Sequence, residues 1–461
     1  MHSRYFVKPY EFVPPYRKKL WSHLARPFVG HFLRRSFGVH YVATSGEHHL
    51  QSSIDRGAGI LLAPNHCRMA DPAVMGRVGL MMHRYFYYVA SFHLFQRSRF
   101  NAWRINRLGA FSVLRDAPDL NAVRACTDLV TEADRPLVIF PEGTYYRQND
   151  RVGPLQGGVT LICPRPMKRT VRPLLIHPVA IKYWFLDDPR PALTERLGLL
   201  ERAFGWRAQP RLDPIERLQR TYLGFVTLQE IEHMGQPQSG DLNGRMLALI
   251  EFLLRRIEAT EKKPVNGSHA ERIHQLRQSR VYRLAELADR KTDHPQLCRE
   301  LDDLYLCQLL LAQSQDYLLE CPTDERMAET LQRIEEDLFD IEDAVAPMGA
   351  VVQIGEAIDA RETLANSWSP GALTNTVRSS MQRLLDEVVR QGRPPHWKPP
   401  RRKEKRSATH GTGHNGVPTF RRRSHRRPDR RLGNHVTLPF EPQSGDGTGG
   451  FFPSSDRSVG V

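Results

Sequence analysis

Residues 59–72, GILLAPNHCRMADP, run an apolar stretch of strand length into a proline and then into Asn, His and Asp. The strand-like run ends at Pro64, and His66 and Asp71 fall where a helix can begin. A helix advances about 100° per residue, so positions five apart sit well off a common face. The two side chains meet if His66 lies at or before the first turn and Asp71 lies inside it. Asp71 then accepts a hydrogen bond from one imidazole nitrogen and leaves the other to take a proton. That is a base-and-orienter pair of the kind that activates a hydroxyl. Taken alone, a His and an Asp at this spacing also describe an ordinary structural pair.

Outward from this stretch, YFYYVA (85–90), PLVIFP (136–141) and VRPLLIHPVAI (171–181) are further strand-like runs. Between them Asp119–Ala133 has helical spacing, with Leu120, Val123, Cys126, Thr127 and Val130 on one side. The alternation predicts an α/β fold in which helices cover a sheet, with ligands near the strand ends.

Three more segments carry chemistry. In RINRLGAFSVLRD (104–116), Arg107 and Arg115 flank an apolar stretch, and the planar arginine fork suits a phosphate. In LVIFPEGTYYR (137–147), Gly143 permits a tight backbone, Thr144 and nearby N–H groups suit anionic oxygen, and Glu142 suits an arginine or a substrate hydroxyl. In LLIHPVAIKYW (174–184), Pro178 is expected to end one strand-like piece, with Ala180 and Ile181 lining an apolar wall.

Together these segments resemble the glycerolipid acyltransferase superfamily, which includes the bacterial 1-acyl-glycerol-3-phosphate acyltransferases. Asn65, His66 and Asp71 match its first signature, Gly109 through Arg115 the second, Phe140 through Thr144 the third residue for residue, and Pro178 the fourth. The resemblance implies a mixed sheet flanked by helices. It also implies that His66, held by Asp71, deprotonates an acceptor hydroxyl attacking the thioester of acyl-CoA or acyl carrier protein. No cofactor, metal or acyl-enzyme is implied. Asn65, Arg115, Glu142, Gly143 and Thr144 would bind substrate, and the acceptor would be a lysophospholipid such as 1-acyl-glycerol 3-phosphate. The chain departs from the pattern where Tyr145 and Tyr146 precede Arg147, which is expected to take over anion binding. It departs again at Leu155–Gly158, where the pattern has a lysine and this chain has Gln156. These departures leave room for another lysolipid or alcohol acceptor. A reading of a different class is a non-catalytic lipid-binding or scaffold protein, which retention of both His66 and Asp71 opposes.

The four segments cover under half of the 461 residues. The expected organisation is a basic amphipathic segment at 1–39, an acyltransferase domain at 40–235, an all-helical accessory domain at 240–392 and a disordered basic tail at 393–461. The helical segments are 243–262, 270–290, 297–320, 325–343 and 374–391. In RKKLWSHLARPFVGHFLRRSF (17–37), apolar residues recur at helical spacing among basic ones, and Pro27 divides two shorter helices. This segment suits a lipid interface. The tail, with RRRSHRRPDRR at 421–431, suits an anionic membrane or, without sequence recognition, RNA. A net charge of +15 favours such anionic partners. No run approaches the roughly 18–20 apolar residues that span a bilayer. Six cysteines with no CxxC fit reduced thiols. The expected location is cytoplasmic, peripheral on the inner face of the cell membrane. Acyl-chain length and oligomeric state are not encoded legibly.

Overall fold

The computed structural model describes residues 10–400, apart from 116–118, 157, 159–161, 262–264, 288–293, 313–315, 340–342 and 367–369. The expected tail beyond residue 400 and the first nine residues lie outside the described residues.

An eight-stranded sheet organises the fold, with strands β1 Val39–Ser45, β2 Gly59–Pro64, β3 Tyr87–Ser91, β4 Ala110–Val113, β5 Leu137–Val138, β6 Leu174–Phe185, β7 Met348–Ile354 and β8 Ile358–Asp359. Their order is β1-β7-β6-β2-β5-β3-β4, with β8 also on β6. From β6 to β4 all neighbours are parallel. On the other side β7 runs antiparallel to β6 and parallel to β1, so the sheet is mixed, as expected. All six residues of β2 are buried, as a strand covered on both faces requires.

β6 shows how the two faces separate. Leu175, Val179, Ile181, Tyr183 and Phe185 join one core cluster, with Val74 and Val78 of the Asp71–Met81 helix. Leu174, Ile176 and Ala180 join the other, with Leu373, Val377, Met381 and Leu385 of the Pro370–Gln391 helix. This two-residue alternation corrects one expectation: the adjacent Ala180 and Ile181 point to opposite faces and cannot line one wall. Pro178 does not end the strand either. β6 is continuous through it, because the missing N–H falls between the segments that pair with β8 and with β7. There the Pro178 carbonyl accepts from Gly355 N at 2.8 Å.

The helices of the second half fall close to their expected places, at Leu242–Glu258, His269–Leu287, Pro295–Ala312, Asp316–Glu320, Asp324–Phe339 and Pro370–Gln391. Two expectations about the end of this region are corrected. Residues 240–392 are not all helical, since β7 enters the sheet between β1 and β6. The seven-residue β7 pairs with a strand near the N-terminus, and such pairing leaves no local periodicity. Nor does the packed chain stop at 392. Trp397 is buried, stacks on Tyr41 with ring centroids 5.7 Å apart and covers Gly349, where a Cβ would overlap the indole. Arg393 Nη1 donates to the Phe185 carbonyl at 2.9 Å. A single tryptophan among prolines and arginines carries no periodic signal, so composition alone reads this stretch as tail.

At the N-terminal end the helices Leu20–Ala25 and Val29–Phe37 are joined by a 3-10 turn, Arg26–Phe28, that contains Pro27. Among the described residues no helix is long and apolar enough to cross a membrane.

Candidate active site

β2, β5, β3 and β4 lie side by side and parallel, so the chain leaves all four at one edge of the sheet. Just past those ends stand His66 after β2, Glu142 after β5, His93 after β3 and Arg115 after β4. This is the edge where ligands bind in open α/β sheets.

His66 sits in the irregular segment before the Asp71–Met81 helix, and Asp71 is the first residue of that helix. The imidazole Nδ1–H donates to Asp71 Oδ2 at 2.8 Å. The Asp71 carboxylate is fully buried, whereas the His66 side chain keeps 15% exposure. Arg68 N also donates to Asp71 Oδ2, at 2.8 Å, and the Tyr183 hydroxyl donates to Asp71 Oδ1 at 2.6 Å. Three donors thus hold an otherwise costly buried charge and fix its direction. With Nδ1 committed, Nε2 is the nitrogen left for a reacting hydroxyl.

Asn65 locks the preceding turn to β6. Its Nδ2 donates to the Ile181 carbonyl at 3.0 Å and its Oδ1 accepts from Ile181 N at 2.6 Å. Asn65 is buried, and this is a scaffold role. Asn149 makes the same double bond to Tyr183 one step along, with both distances 2.8 Å.

Glu142 is buried and bridges two backbones. Its Oε1 accepts from His66 N at 2.7 Å and its Oε2 from Gly153 N at 3.0 Å. Among the described residues neither oxygen meets an arginine, contrary to one of its two expected uses. Burial pushes the Glu142 carboxyl up to about 8, against the two N–H groups that favour its charged form. Gly143 has a left-handed φ of +72°, and a Cβ there would stand 2.9 Å from Gln156 Cγ. Its carbonyl accepts from Arg115 Nη1 at 2.8 Å. Arg115 and Gly143 therefore come together as expected, and the half-buried Thr144 follows in the same turn. Burial, reinforced by Arg115 and Arg97, pushes the His93 imidazole down to about 3, so it is neutral beside those arginines. Arg107 lies elsewhere, its guanidinium 4.1 Å from the Tyr16 ring centroid.

Arg147 is buried, with a left-handed φ of +50°. Its Nε donates to Glu336 Oε2 at 2.5 Å, while the Tyr145 hydroxyl donates to Glu336 Oε1. Phe140 and Tyr145 flank the His66 ring at centroid distances of 4.4 and 5.7 Å. Cys67 is buried under Asp71, and burial raises its thiol well above the ordinary range, which argues against a thiolate nucleophile.

The sequence reading missed Tyr183, Asn149 and the acidic residues of the Asp324–Phe339 helix. Tyr183 had a signal, since strand alternation puts it on the face of Val179 and Ile181. Glu336 had none, because its contacts are almost 200 positions away.

Residues 43–182 match the family model described as Acyltransferase, and this stretch is an acyltransferase domain consistent with the broad glycerolipid acyltransferase superfamily. The match takes in His66, Asp71, Arg115 and Glu142, and it ends one residue before Tyr183. No curated protein matches the chain.

Proposed function

We propose that the protein transfers a fatty acyl group from acyl-CoA or acyl carrier protein to the hydroxyl of a lysophospholipid such as 1-acyl-glycerol 3-phosphate, at a membrane surface. The observation that carries this reading is the partly exposed His66 oriented through Nδ1 by a fully buried Asp71 inside an acyltransferase domain. Nε2 takes the proton as the acceptor oxygen attacks the thioester carbonyl. The tetrahedral intermediate then collapses, the C–S bond breaks, and the thiolate leaves and is reprotonated. Arg115, with the Gly143–Thr144 turn, faces the acceptor phosphate, and the orientation it supplies is a large part of the barrier to a two-substrate reaction. Ile181, on the same face of the sheet as Cys67 and Val74, suits the acyl side.

The membrane part of the reading has its own support. Leu20, Leu24 and Phe28 are 58%, 51% and 68% exposed, and Phe100 and Trp103 of the Arg99–Arg107 helix are 70% and 40% exposed. Trp21 packs edge-on against Trp103, with centroids 4.8 Å apart, joining the two elements into one apolar surface. The exposed Arg26, Arg34, Arg35 and Arg99 belong to the same two segments, and the exposed Arg97 lies just before the second. An apolar surface bordered by arginines suits an anionic lipid interface.

The deciding experiment is acyl transfer by the purified protein on anionic vesicles. It uses both donors and a panel of phosphorylated and unphosphorylated acceptors, beside a folded His66→Ala variant. Transfer to lysophosphatidic acid that vanishes in H66A supports the reading, and transfer only to another acceptor reassigns the substrate. Wild-type levels of transfer by folded H66A would sink the mechanism.

A further inference from the structure

The Asp324–Phe339 helix lies far beyond the acyltransferase segment 43–182, yet it reaches into both loops of the site. Glu329, Gln332 and Glu336 are spaced three and four apart, which sets them on one helix face. Glu329 Oε1 and Gln332 Oε1 accept from Arg68 Nη2 and Nη1 at 3.3 and 3.0 Å. Arg68 is the residue whose backbone N–H holds Asp71. One turn further, Glu336 uses both carboxylate oxygens on the other loop, accepting from Tyr145 and from Arg147. That loop is itself tied to the first, since Tyr146 N donates to the His66 carbonyl at 3.2 Å. The Arg147 and Glu336 side chains are only 5% and 10% exposed. Desolvation offsets much of the attraction in so buried a pair, so its net contribution to stability is small and its use lies in fixing geometry.

Resting on the acyl-transfer reading, we propose that Glu336 is a positioning residue for the acceptor, acting through Tyr145 and Arg147. Glu336 sets the Tyr145 ring beside His66 and holds Arg147 as a strut of the loop that carries Gly143 and Thr144. An acceptor hydroxyl that reaches His66 passes beside Tyr145, and an acceptor headgroup lies against the Gly143–Thr144 turn. Both contacts depend on a carboxylate from the helical half of the chain. Acceptor selection is therefore shared between the acyltransferase segment and the Asp324–Phe339 helix.

The test is steady-state kinetics of the full chain on anionic vesicles with Glu336→Gln, varying donor and acceptor separately. Expected is a rise of about tenfold in acceptor KM, with donor KM and kcat within about twofold of wild type, because a displaced loop misplaces one substrate only. Amide hydrogen exchange in residues 142–149 should quicken in E336Q, and Glu336→Gln with Arg147→Gln should raise acceptor KM by less than the product of the two single effects. An unchanged acceptor KM, or equal rises for donor and acceptor, overturns the proposal while leaving acyl transfer standing. Failure of the wild type to transfer to any acceptor overturns both. Should E336Q lose the wild-type melting transition, Tyr145→Phe and Arg147→Gln make the same comparison from the loop side: a selective rise in acceptor KM supports the proposal, and its absence overturns it.

Discussion

The Tyr183 hydroxyl and the Asp71 carboxylate, 112 positions apart, meet at 2.6 Å with no exposure at Asp71 and almost none at Tyr183. Asp71 would otherwise keep its Oδ1 without a normal donor among the described residues, where the Cys67 thiol stands 3.9 Å away. Removing the hydroxyl with Tyr183→Phe leaves a buried charge partly unsatisfied. The expected cost is about 1–3 kcal/mol of stability. A fall in kcat on the order of tenfold should accompany it, since the carboxylate that steers His66 is less firmly held. Urea unfolding and single-acceptor kinetics read the two effects. A folded Y183F with wild-type kcat would reduce this hydroxyl to packing.

Stability above neutral pH should fall as carboxyls buried beside the site are forced to ionise. Burial pushes Glu142 to about 8 and Glu329 to about 7, both above the unfolded carboxyl value of 4.5. The folded chain therefore holds protons there that the unfolded chain has lost, and stability declines as pH rises towards the folded values. The depressed His93 acts oppositely, but only below its unfolded value of 6.5. The clean window is thus about pH 6.5–8, where each carboxyl contributes at most about 1.4 kcal/mol per pH unit. Urea midpoints across that window should decline for the wild type and decline less for Glu142→Gln. Parallel curves for the two proteins would show that Glu142 ionises normally.

How far the sequence reveals this site depends on the distance over which each contact forms. His66 and Asp71 are five positions apart, and Arg115 and Glu142 each follow a strand of one parallel set, so pattern and strand order place them. Ala180 and Ile181 show a local rule left unapplied, because period-two alternation already separates them. Glu142 shows a partner misjudged: a carboxylate beside arginines invites an ion pair, yet here it ties two loop backbones together. β7, Trp397 and Glu336 are a different matter. Each makes decisive contacts with residues far away in the chain, and no spacing in one sequence records those.

The packed end of the chain can be located by truncation. If Trp397 belongs to the core through Gly349 and Tyr41, a chain ending at residue 392 should melt below one ending at residue 400. A chain ending at 392 loses the buried indole and the Arg393 bonds to the Phe185 and Leu186 carbonyls. Large-to-small loss of a buried aromatic costs about 3–5 kcal/mol, which should appear as a drop of several degrees in Tm. Equal melting of the two truncations would place the boundary at the earlier point.

Vesicle binding should depend on an aromatic pair that lies outside the N-terminal helices. Phe100 and Trp103 stack with centroids 6.0 Å apart and remain exposed, so replacing both by Ser disturbs little of the core. If the surface they share with Leu20, Leu24 and Phe28 enters lipid, F100S/W103S should weaken binding to anionic vesicles roughly tenfold, or about 1.4 kcal/mol. Because the effect is apolar, it should persist at high salt, whereas attraction from the surrounding arginines fades as salt screens it. Sedimentation with vesicles at low and high salt separates the two contributions. Wild-type binding by the double variant at both salts would mean that these aromatics do not enter the membrane and that the N-terminal helices or basic charge suffice.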